Sequence, residues 1–429
     1  MRIQSAKFCG FSTGDVMTDS HMELSLEFLT PGFVGGATPR QSDPYLPLRP
    51  SAVRGLLRTW FRMAVTAVFW PTGDNPSQQA ELVSILREVE NKVFGSTEHR
   101  SPLMVSMDEA PQTQPFPSPQ SPTSGLRYLG YGLFERGTPT VLPVGKRCRL
   151  SLRIRPVGID GKQRQQIEKL VSATVWLWTH LGGIGARSRR GFGSMELTRS
   201  TGLQAIDRAL QSPCKNVTEL EMQQRTGLNW ALDVFEEQLG PEFYANPEDG
   251  RPHRAIRNLL GAELTVLPRT FPSGQDALEG VGTLFQQFRS TKARLAKNQP
   301  RLQDYFVVRN ALQTGTPPNQ SVGRTAFGLP LRFYFSSLAG QNCTILPPRG
   351  EGDQVPSPLH IRVHRLASGK FAVMLINLAA DPRVSPLLDL DFLVMKTKQG
   401  THQVPVPDTS YLRDFVRFAV AQAGGGGRS

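Results

Sequence analysis

Apolar and polar residues alternate in two segments of the first half of the chain. Leucine and phenylalanine alternate with polar or charged residues over 22–30, and apolar residues alternate mostly with arginine over 147–155. Successive side chains of a strand point to opposite faces, so this period of two predicts two half-buried β-strands. We expect two more strands in this half, one among residues 101–135 and one near Met195.

Two longer segments have the period of an amphipathic helix. Apolar residues recur at three- and four-residue intervals over 51–69, where Ser51 can cap the helix, and over 162–181, which ends at Gly182-Gly183. Taken in chain order with the strands, these helices give the series β-α-β-β-α-β. That order is the ferredoxin-like arrangement, and it predicts an α+β fold.

The second half of the chain repeats short motifs of the first half in the same order. The helix motif at 55–62 matches 282–289 at Gly, Leu, Phe and Arg. Two further matches pair Phe94-Gly95 with Phe327-Gly328 and Ser101-Pro102-Leu103 with Ser357-Pro358-Leu359. Chance is the alternative, but a duplicated domain explains three ordered matches more economically. We therefore predict tandem ferredoxin-like domains at 1–200 and 251–423, joined by an acidic helical bridge at 201–250.

The balance of charge favours a polyanionic partner. The chain of 429 residues carries 49 Lys and Arg against 36 Asp and Glu, a formal net charge of +13, and nucleic acid is the commonest soluble polyanion. Residues 146–199 hold 12 basic and 3 acidic groups, whereas the bridge at 201–250 holds 3 basic and 9 acidic ones. We therefore expect the ligand to bind near 146–199.

Further features of the sequence predict two flexible segments, a cytoplasmic location and the absence of a zinc site. The stretch 106–125 is rich in Pro and Ser and predicts a mobile insertion between strands, and the glycine tract at 424–429 predicts a flexible tail. The first residues lack the apolar core of a signal peptide and no apolar run reaches about 18 residues, so we expect no membrane partner and a cytoplasmic location. The dispersed cysteines are typical of reduced thiols without a zinc site: Cys9, Cys148, Cys214 and Cys343.

A glycine- and arginine-rich loop at 182–194 is the main candidate for ligand binding. It holds five glycines and three arginines between a predicted helix and a predicted strand. Glycine lets a backbone approach its ligand closely, and guanidinium groups bind phosphate oxygens. Mononucleotide-binding loops precede a helix, whereas this loop follows one, so RNA backbone is the favoured ligand and a flexible surface turn is the alternative. The candidate residues are Gly183, Gly185, Arg187, Ser188, Arg189, Arg190 and Gly191.

A second candidate surface lies on the first predicted helix. Arg54, Arg58 and Arg62 recur every fourth residue, Arg49 precedes them, and no acidic residue falls between Arg49 and Arg62. Such a stripe suits RNA phosphates, and pairing with acids elsewhere in the fold is the structural alternative. Three aromatic residues in glycine-rich loops are candidates for base stacking or for packing: Phe33, Tyr45 and Phe192.

The sequence gives little sign of catalysis. Seven histidines are scattered without Ser-His-Asp or metal-ligand spacing, so we expect no catalytic residue, no metal and no cofactor. One strand face, with His360, Arg362 and His364, could cleave RNA without a metal, although a structural role is the commoner case. Three acids in polar loops could bind a metal or are simply solvated: Asp15, Asp19 and Asp43.

Five motifs follow one another along most of the chain. They are LTPGFVGGA at 29–37, LRPSAVRGLLR at 48–58, FGST at 94–97, the glycine-rich loop at 182–194 and AFGLP at 326–330. In combination and order they resemble the RAMP superfamily of CRISPR proteins and, within it, the subunit-one family of the Cmr (type III-B) effector module.

This resemblance implies tandem RAMP domains of ferredoxin-like fold in a complex assembled on a CRISPR guide RNA. It implies a non-catalytic subunit of antiviral defence that binds the guide near its 3' end, beside other RAMP subunits. The implied RNA contacts are Arg49, Arg54, Arg58, Arg62, Arg187, Arg189 and Arg190. The second half has no clear glycine-rich loop before its last residues, so we do not expect it to hold RNA in the same way. Two alternatives stay open, a metal-independent RAMP endoribonuclease that processes guide precursors and a protein-only assembly adaptor.

Overall fold

The computed structural model is a mixed structure of eight α-helices and thirteen strands within the residues that it describes. Those residues are 20–36, 42–43, 45–69, 76–121, 123–134, 138–156, 158–202, 208–239, 259–289, 304–335, 338, 340–348, 354–381, 385, 387 and 390–424. The helices are α1 (Pro50–Val68), α2 (Pro76–Phe94), α3 (Gly125–Leu129), α4 (Gly161–Leu181), α5 (Val217–Gln238), α6 (Gly274–Arg289), α7 (Asp304–Thr314) and α8 (Ser410–Gly424). The strands are β1 (Ser20–Phe28), β2 (Leu103–Glu109), β3 (Gln114–Pro115), β4 (Thr140–Val141), β5 (Arg147–Ile154), β6 (Met195–Thr201), β7 (Glu263–Phe271), β8 (Leu331–Phe335), β9 (Gln341–Leu346), β10 (Leu359–Arg365), β11 (Phe371–Asn377), β12 (Leu393–Lys396) and β13 (Thr401–Val404).

The first half folds as the predicted ferredoxin-like unit. Its antiparallel sheet has the order β2-β5-β1-β6. Numbered one to four by their order in the chain and read from the β6 edge, these strands run 4-1-3-2. The apolar positions of β1 and β5 are buried, with Leu24 opposite Leu150 in the register. Helix α4 begins at a capping box in which the Asp160 carboxylate accepts from the N–H of Gln163 at 2.8 Å. The alternation seen in the sequence therefore does place one face of the sheet in the core.

The second half repeats this arrangement over the residues that the structure describes. Strands β7, β10 and β11 form a sheet in the order β10-β11-β7, and α6 and α8 pack against it. This is the relative order of β2, β5 and β1, which confirms the tandem ferredoxin-like prediction. A further sheet, β13-β12-β9-β8, has its own small core and was not predicted from the sequence.

The repeated motifs occupy equivalent places in the two domains. Gly95 and Gly328 both have a positive φ, +71° and +116°. A Cβ on Gly95 would lie 2.5 Å from the backbone nitrogen of Ser101, and one on Gly328 would lie 3.0 Å from that of Ser357. In the Ser-Pro-Leu motifs the Ser101 hydroxyl donates to the carbonyl of Leu103 at 2.7 Å, and the Ser357 hydroxyl donates to the carbonyl of Leu359 at 3.0 Å. The same backbone turn is thus stabilised by the same side-chain bond in both halves, and chance no longer explains the matches.

Two of the predicted connecting segments contain regular structure. The Pro/Ser-rich segment 106–125 differs from the predicted mobile insertion, because it begins in β2, contains β3 and reaches α3, and Phe116 within it is buried. Helix α5 lies in the predicted acidic bridge and packs against α1, α4 and β7 through residues such as Phe235. The predicted flexible tail falls outside the described residues from 425 onward. None of the helices among the described residues is both long and apolar enough to cross a bilayer.

Candidate nucleic-acid interface

The glycine-rich loop connects α4 to β6, as the sequence predicted, and its shape depends on glycine. Gly185 and Gly193 have φ angles of +85° and +64°. A Cβ on Gly185 would lie 2.2 Å from the carbonyl oxygen of Phe33, and one on Gly193 would lie 1.9 Å from that of Ile184. These positions therefore need glycine both for the left-handed backbone and for the close approach of neighbouring chain.

The loop also joins the two domains. The N–H of Ile361 in β10 donates to the carbonyl of Arg189 at 2.9 Å, and Arg190 forms a parallel bridge with Ile361. Close by, the N–H of Val363 donates to the Ser194 hydroxyl at 3.1 Å. The loop of the first domain is thereby fixed against the edge of the second domain's sheet, and its arginines lie at the boundary between domains.

A cavity of about 930 Å³ opens at this boundary. Six arginines line it, and none of its described lining residues is Asp or Glu. Three of these arginines come from the glycine-rich loop and three from the second domain, namely Arg187, Arg189, Arg190, Arg289, Arg324 and Arg332. The glycine-rich motif predicts the first three from the sequence, whereas the other three were not predicted, although Arg289 matches Arg62 in the internal repeat. We call this surface the arginine cavity.

Aromatic rings support the guanidinium groups of the arginine cavity. The guanidinium carbon of Arg190 lies 4.7 Å from the ring centre of Phe285, and that of Arg289 lies 5.0 Å from the same ring centre. Arg289 also lies 5.6 Å from the ring of Phe327 and 5.9 Å from that of Tyr128. Cation–π contact holds both side chains in place without neutralising their charge, so the charge remains for a ligand.

The charges at the base of the cavity are incompletely compensated. Burial and, after it, the nearby charge of Arg289 lower the pKa of Arg190 to about 9. The Nη1 atom of Arg190 and the Nε atom of Arg289 are buried without a hydrogen-bond partner among the described residues. Arg324 has one acidic neighbour, Asp304, at 3.4 Å. A cluster of buried cations with unsatisfied donors is stabilised by an anion.

The arginine stripe of α1 is tied into the first domain. Arg54 donates to the backbone carbonyls of Phe94 and Leu103, the second bond at 3.2 Å. Arg58 and Arg62 both donate to the buried carboxylate of Glu90 on α2, with the Nη2–Oε1 bond of Arg62 at 2.8 Å. The alternative to RNA binding, pairing with acids elsewhere in the fold, therefore applies to Arg58 and Arg62, which hold α1 to α2. Arg49, at the N-terminus of α1, donates to the carbonyl of Gly35 at 3.3 Å.

Two of the three stacking candidates are core residues. Phe33 and Phe192 are 4% and 0% exposed, and their ring centres lie 5.1 Å apart in an edge-to-face contact. Packing, the alternative in the sequence analysis, is their role, because a loop that holds an aromatic ring can still fold it inward. Tyr45 is 93% exposed and remains able to stack on a base.

The strand face that could have cleaved RNA is buried between the domains. His360, Arg362 and His364 do share one face of β10, but they are 6%, 1% and 8% exposed. Arg362 donates through Nη2 to the carbonyls of Thr179 and Met195 in the first domain. Burial holds the pKa of His364 well below its ordinary value, so this group stays neutral. This face of β10 is part of the interface between the domains and is not accessible to RNA in solution.

The acids considered as metal ligands do not form a metal site among the described residues. The carboxylate of Asp43 accepts from the backbone N–H of Tyr45 at 2.9 Å and of Leu46 at 3.1 Å, which is a local turn. Asp15 and Asp19 lie outside the described residues. Among the residues that are described, no three His, Cys, Asp or Glu side chains come together in a way that could hold a metal ion.

The fold and the loop define a class of protein. Residues 25–196, from β1 to the start of β6, match the model of the RAMP superfamily, and the match spans most of the first domain. This confirms the resemblance that the motifs predicted.

More particularly, the chain is similar to subunit one of the CRISPR Cmr system. The Cmr subunit Cmr1-1 of Pyrococcus furiosus is 29% identical over 262 residues, which cover 60% of this chain and 69% of the relative. Subunit Cmr1-2 of the same organism is 26% identical over 188 residues, which cover 41% of this chain and 93% of the relative.

Solved structures of low sequence identity share the fold. The crystal structure of apo Cmr1 from Pyrococcus furiosus has a TM-score of 0.53 at 19% identity and covers 94% of this chain and 96% of its own. A chain of the cryo-EM structure of the type III-B Cmr-beta complex bound to cognate target RNA and AMPPnP has a TM-score of 0.54 at 12% identity, with 95% and 100% covered. Both cover the two domains together, so the tandem arrangement is common to them.

Proposed function

We propose that this protein is a non-catalytic RNA-binding subunit of a type III-B CRISPR effector complex. It binds the guide RNA near its 3' end, stands beside other RAMP subunits and contributes to antiviral defence. Its likeness to the Cmr subunits of Pyrococcus furiosus supports membership of such a complex. The same fold in a complex bound to target RNA supports a role next to nucleic acid.

The arginine cavity is the observation that carries the proposal. Six guanidinium groups converge there without a carboxylate among the described lining residues, and three of them come from the predicted loop. Guanidinium groups bind phosphate oxygens through paired hydrogen bonds, and phosphate contacts supply most of the affinity of sequence-independent RNA binding. Within this proposal Arg187, Arg189 and Arg190 bind RNA, together with the glycines and Ser188 that shape the loop. The α1 arginines, whose hydrogen bonds already serve the fold, contribute at most a secondary contact.

A cleavage role has less support in the structure than a binding role. The histidines that could have acted in a metal-independent reaction are buried, with the His360 ring 6.1 Å from that of Trp60 in the first domain. Incubation of the purified protein with repeat-containing RNA tests this directly. Specific cleavage that disappears in His360→Ala or His364→Ala would overturn the non-catalytic proposal, whereas intact RNA supports it.

Binding to single-stranded RNA across a salt series tests the main proposal. About five phosphate contacts give a slope of roughly −3.5 when log affinity is plotted against log salt. A complex isolated from the native host should also contain the protein, the guide RNA and other RAMP subunits. Copurification with protein subunits but no RNA contact, and no salt-dependent RNA binding, would favour a protein-only adaptor instead.

A further inference from the structure

The two domains treat one equivalent place in the fold differently. In the first domain, Arg62 on α1 pairs with Glu90, which lies four residues before Phe94. In the second domain, Arg289 takes the place of Arg62, and the residue four before Phe327 is Gly323. The duplicated site has therefore kept its cation and has glycine where the first domain has its carboxylate.

A second replacement changes the support of these cations. Arg58, the other partner of Glu90, corresponds to Phe285 in the internal repeat. That ring now lies beneath Arg289 and beneath Arg190, which enters from the glycine-rich loop of the first domain. Arg190 also donates to the carbonyl of Phe327 at 3.3 Å, so the loop arginine is fixed in the second domain's site. The first domain's site has one buried carboxylate for two arginines. The second domain's site gathers Arg190, Arg289 and Arg324 from both domains, with Asp304 beside Arg324 as the acid.

We propose that the arginine cavity seats a terminal phosphate of the RNA, a 3'-phosphate, rather than an internal stretch of phosphodiesters. This inference rests on the proposed function, which brings the 3' end of the guide to this subunit. The shared chemistry is a phosphate monoester, and a free nucleotide is the other source from which it could come.

The number and position of the cations favour a monoester over a diester. A phosphate monoester carries close to two negative charges and three acceptor oxygens at neutral pH, whereas a phosphodiester carries one charge. Arg190 and Arg289 both lie within 5.0 Å of one ring centre and each keeps a buried nitrogen without a partner among the described residues. One dianion can satisfy donors from both side chains, which a single diester charge does less completely.

The size of the cavity favours the end of a chain. Its volume of about 930 Å³ is that of a pocket for one or a few nucleotides. Exposed residues at the rim, Arg187 and Arg332, can then contact the phosphates that precede the end. A strand that ends in the pocket uses both groups of arginines.

Binding of one short single-stranded RNA in three forms tests the inference on the full-length protein. The RNA carries a 3'-hydroxyl, a 3'-phosphate or a 5'-phosphate, and a nucleoside 3'-monophosphate is the competitor. We expect the 3'-phosphate form to bind about tenfold more tightly than the other two, because charged hydrogen bonds to an added anion are gained. We also expect Arg289→Gln to abolish this difference, so that the 3'-phosphate form binds this variant no more tightly than the hydroxyl form does.

Variants outside the cavity floor keep the experiment decisive. Arg417→Gln on α8, whose side chain is 80% exposed, removes the same charge elsewhere and should keep the full difference. If Arg289→Gln does not fold, the exposed rim variant Arg332→Gln should weaken binding of all three RNA forms. The test then rests on the difference in affinity between the 3'-phosphate form and the other two forms, measured with the unsubstituted protein.

Three outcomes would overturn the inference. Equal binding of all three RNA forms, or preference for the 5'-phosphate, would reject a 3'-terminal site and leave the proposed RNA-binding function standing. A nucleoside monophosphate that binds as tightly as the phosphorylated RNA would make the cavity a nucleotide site. Absence of binding to every RNA would reject the proposed function itself.

Discussion

The carbonyl of Arg189 accepts a hydrogen bond from the N–H of Ile361 at 2.9 Å, and this contact joins the glycine-rich loop to the second domain's sheet. The bond involves the backbone of Arg189 and leaves its side chain at the cavity. One short segment therefore fixes the position of the two domains and supplies three of the six cavity arginines. Variants in this segment should separate these two roles. Backbone geometry determines how the domains are joined, whereas side-chain charge determines what the cavity binds.

Removal of loop charge should weaken RNA binding without unfolding the protein. In Arg187→Ala with Arg189→Ala, two guanidinium groups are lost while the backbone bond to β10 remains. We expect the slope of log affinity against log salt to become shallower by about 1.4, at about 0.7 for each lost phosphate contact. The control is Arg417→Ala with Lys398→Ala, two exposed cations outside the cavity lining. Unchanged RNA retention in the loop variant would remove Arg187 and Arg189 from the site.

Replacement of Gly193 should damage the loop for a steric reason. A Cβ there would lie 1.9 Å from the carbonyl oxygen of Ile184 on a backbone with φ +64°. We expect Gly193→Ala to lower the free energy of unfolding by more than about 3 kcal/mol. Gly145→Ala is the matched control, because Gly145 has φ +75° but open space around it, and it should cost only about 1–2 kcal/mol. Equal losses in chemical denaturation would show that the close approach to Ile184 is not important.

The Glu90 carboxylate should stabilise the contact between α1 and α2. It is buried and accepts bonds from Arg58 and Arg62, which are half-exposed. We expect Glu90→Gln to lower the free energy of unfolding by about 1–2 kcal/mol, the cost of weakening a charged hydrogen-bond network that solvent partly screens. Glu88→Gln is the control on the same helix, where a pair with Lys92 at 2.9 Å is more exposed and worth less than about 0.5 kcal/mol. A loss in Glu90→Gln no larger than in the control would return the α1 arginines to the list of free RNA contacts.

Acid should loosen the interface between the domains. Burial lowers the pKa of His180 from 6.5 to about 4, and the pKa of His364 beside Arg362 is also well below its ordinary value. Both imidazoles are neutral in the folded protein and take up protons when it unfolds below pH 6.5. Their contribution is therefore complete above pH 6.5 and is lost as the pH falls toward 4, by about 1.4 kcal/mol per pH unit for each histidine.

Chemical denaturation at pH 7.5 and at about pH 5 measures this linkage. We expect His180→Gln to reduce the loss of stability between the two pH values relative to the unsubstituted protein. His99→Gln, at an exposed site, controls for the removal of any histidine. The same pH dependence in all three proteins would argue against protonation of His180 as the cause.

Local patterns in the sequence specified the ferredoxin-like units correctly. The alternation over 22–30 fixes which face of β1 is buried, because side-chain direction in a strand follows from position alone. The Ser-Pro-Leu motifs and the glycines before them likewise describe turns that form through neighbouring residues. The additional sheet formed by β8, β9, β12 and β13 was missed, since its strands are short and lie within insertions to the repeat.

Local patterns along the chain are therefore enough to predict the order of elements, the duplication and the arginine-rich loop. Which cations are neutralised depends on contacts between distant parts of the chain. Arg62 and Arg289 match in the repeat, yet one pairs with Glu90 and the other lies in a cavity of arginines. The burial of Phe33, Phe192 and the β10 histidines was decided in the same way. Charge and exposure depend on groups brought together from distant parts of the chain, and no local pattern records those contacts.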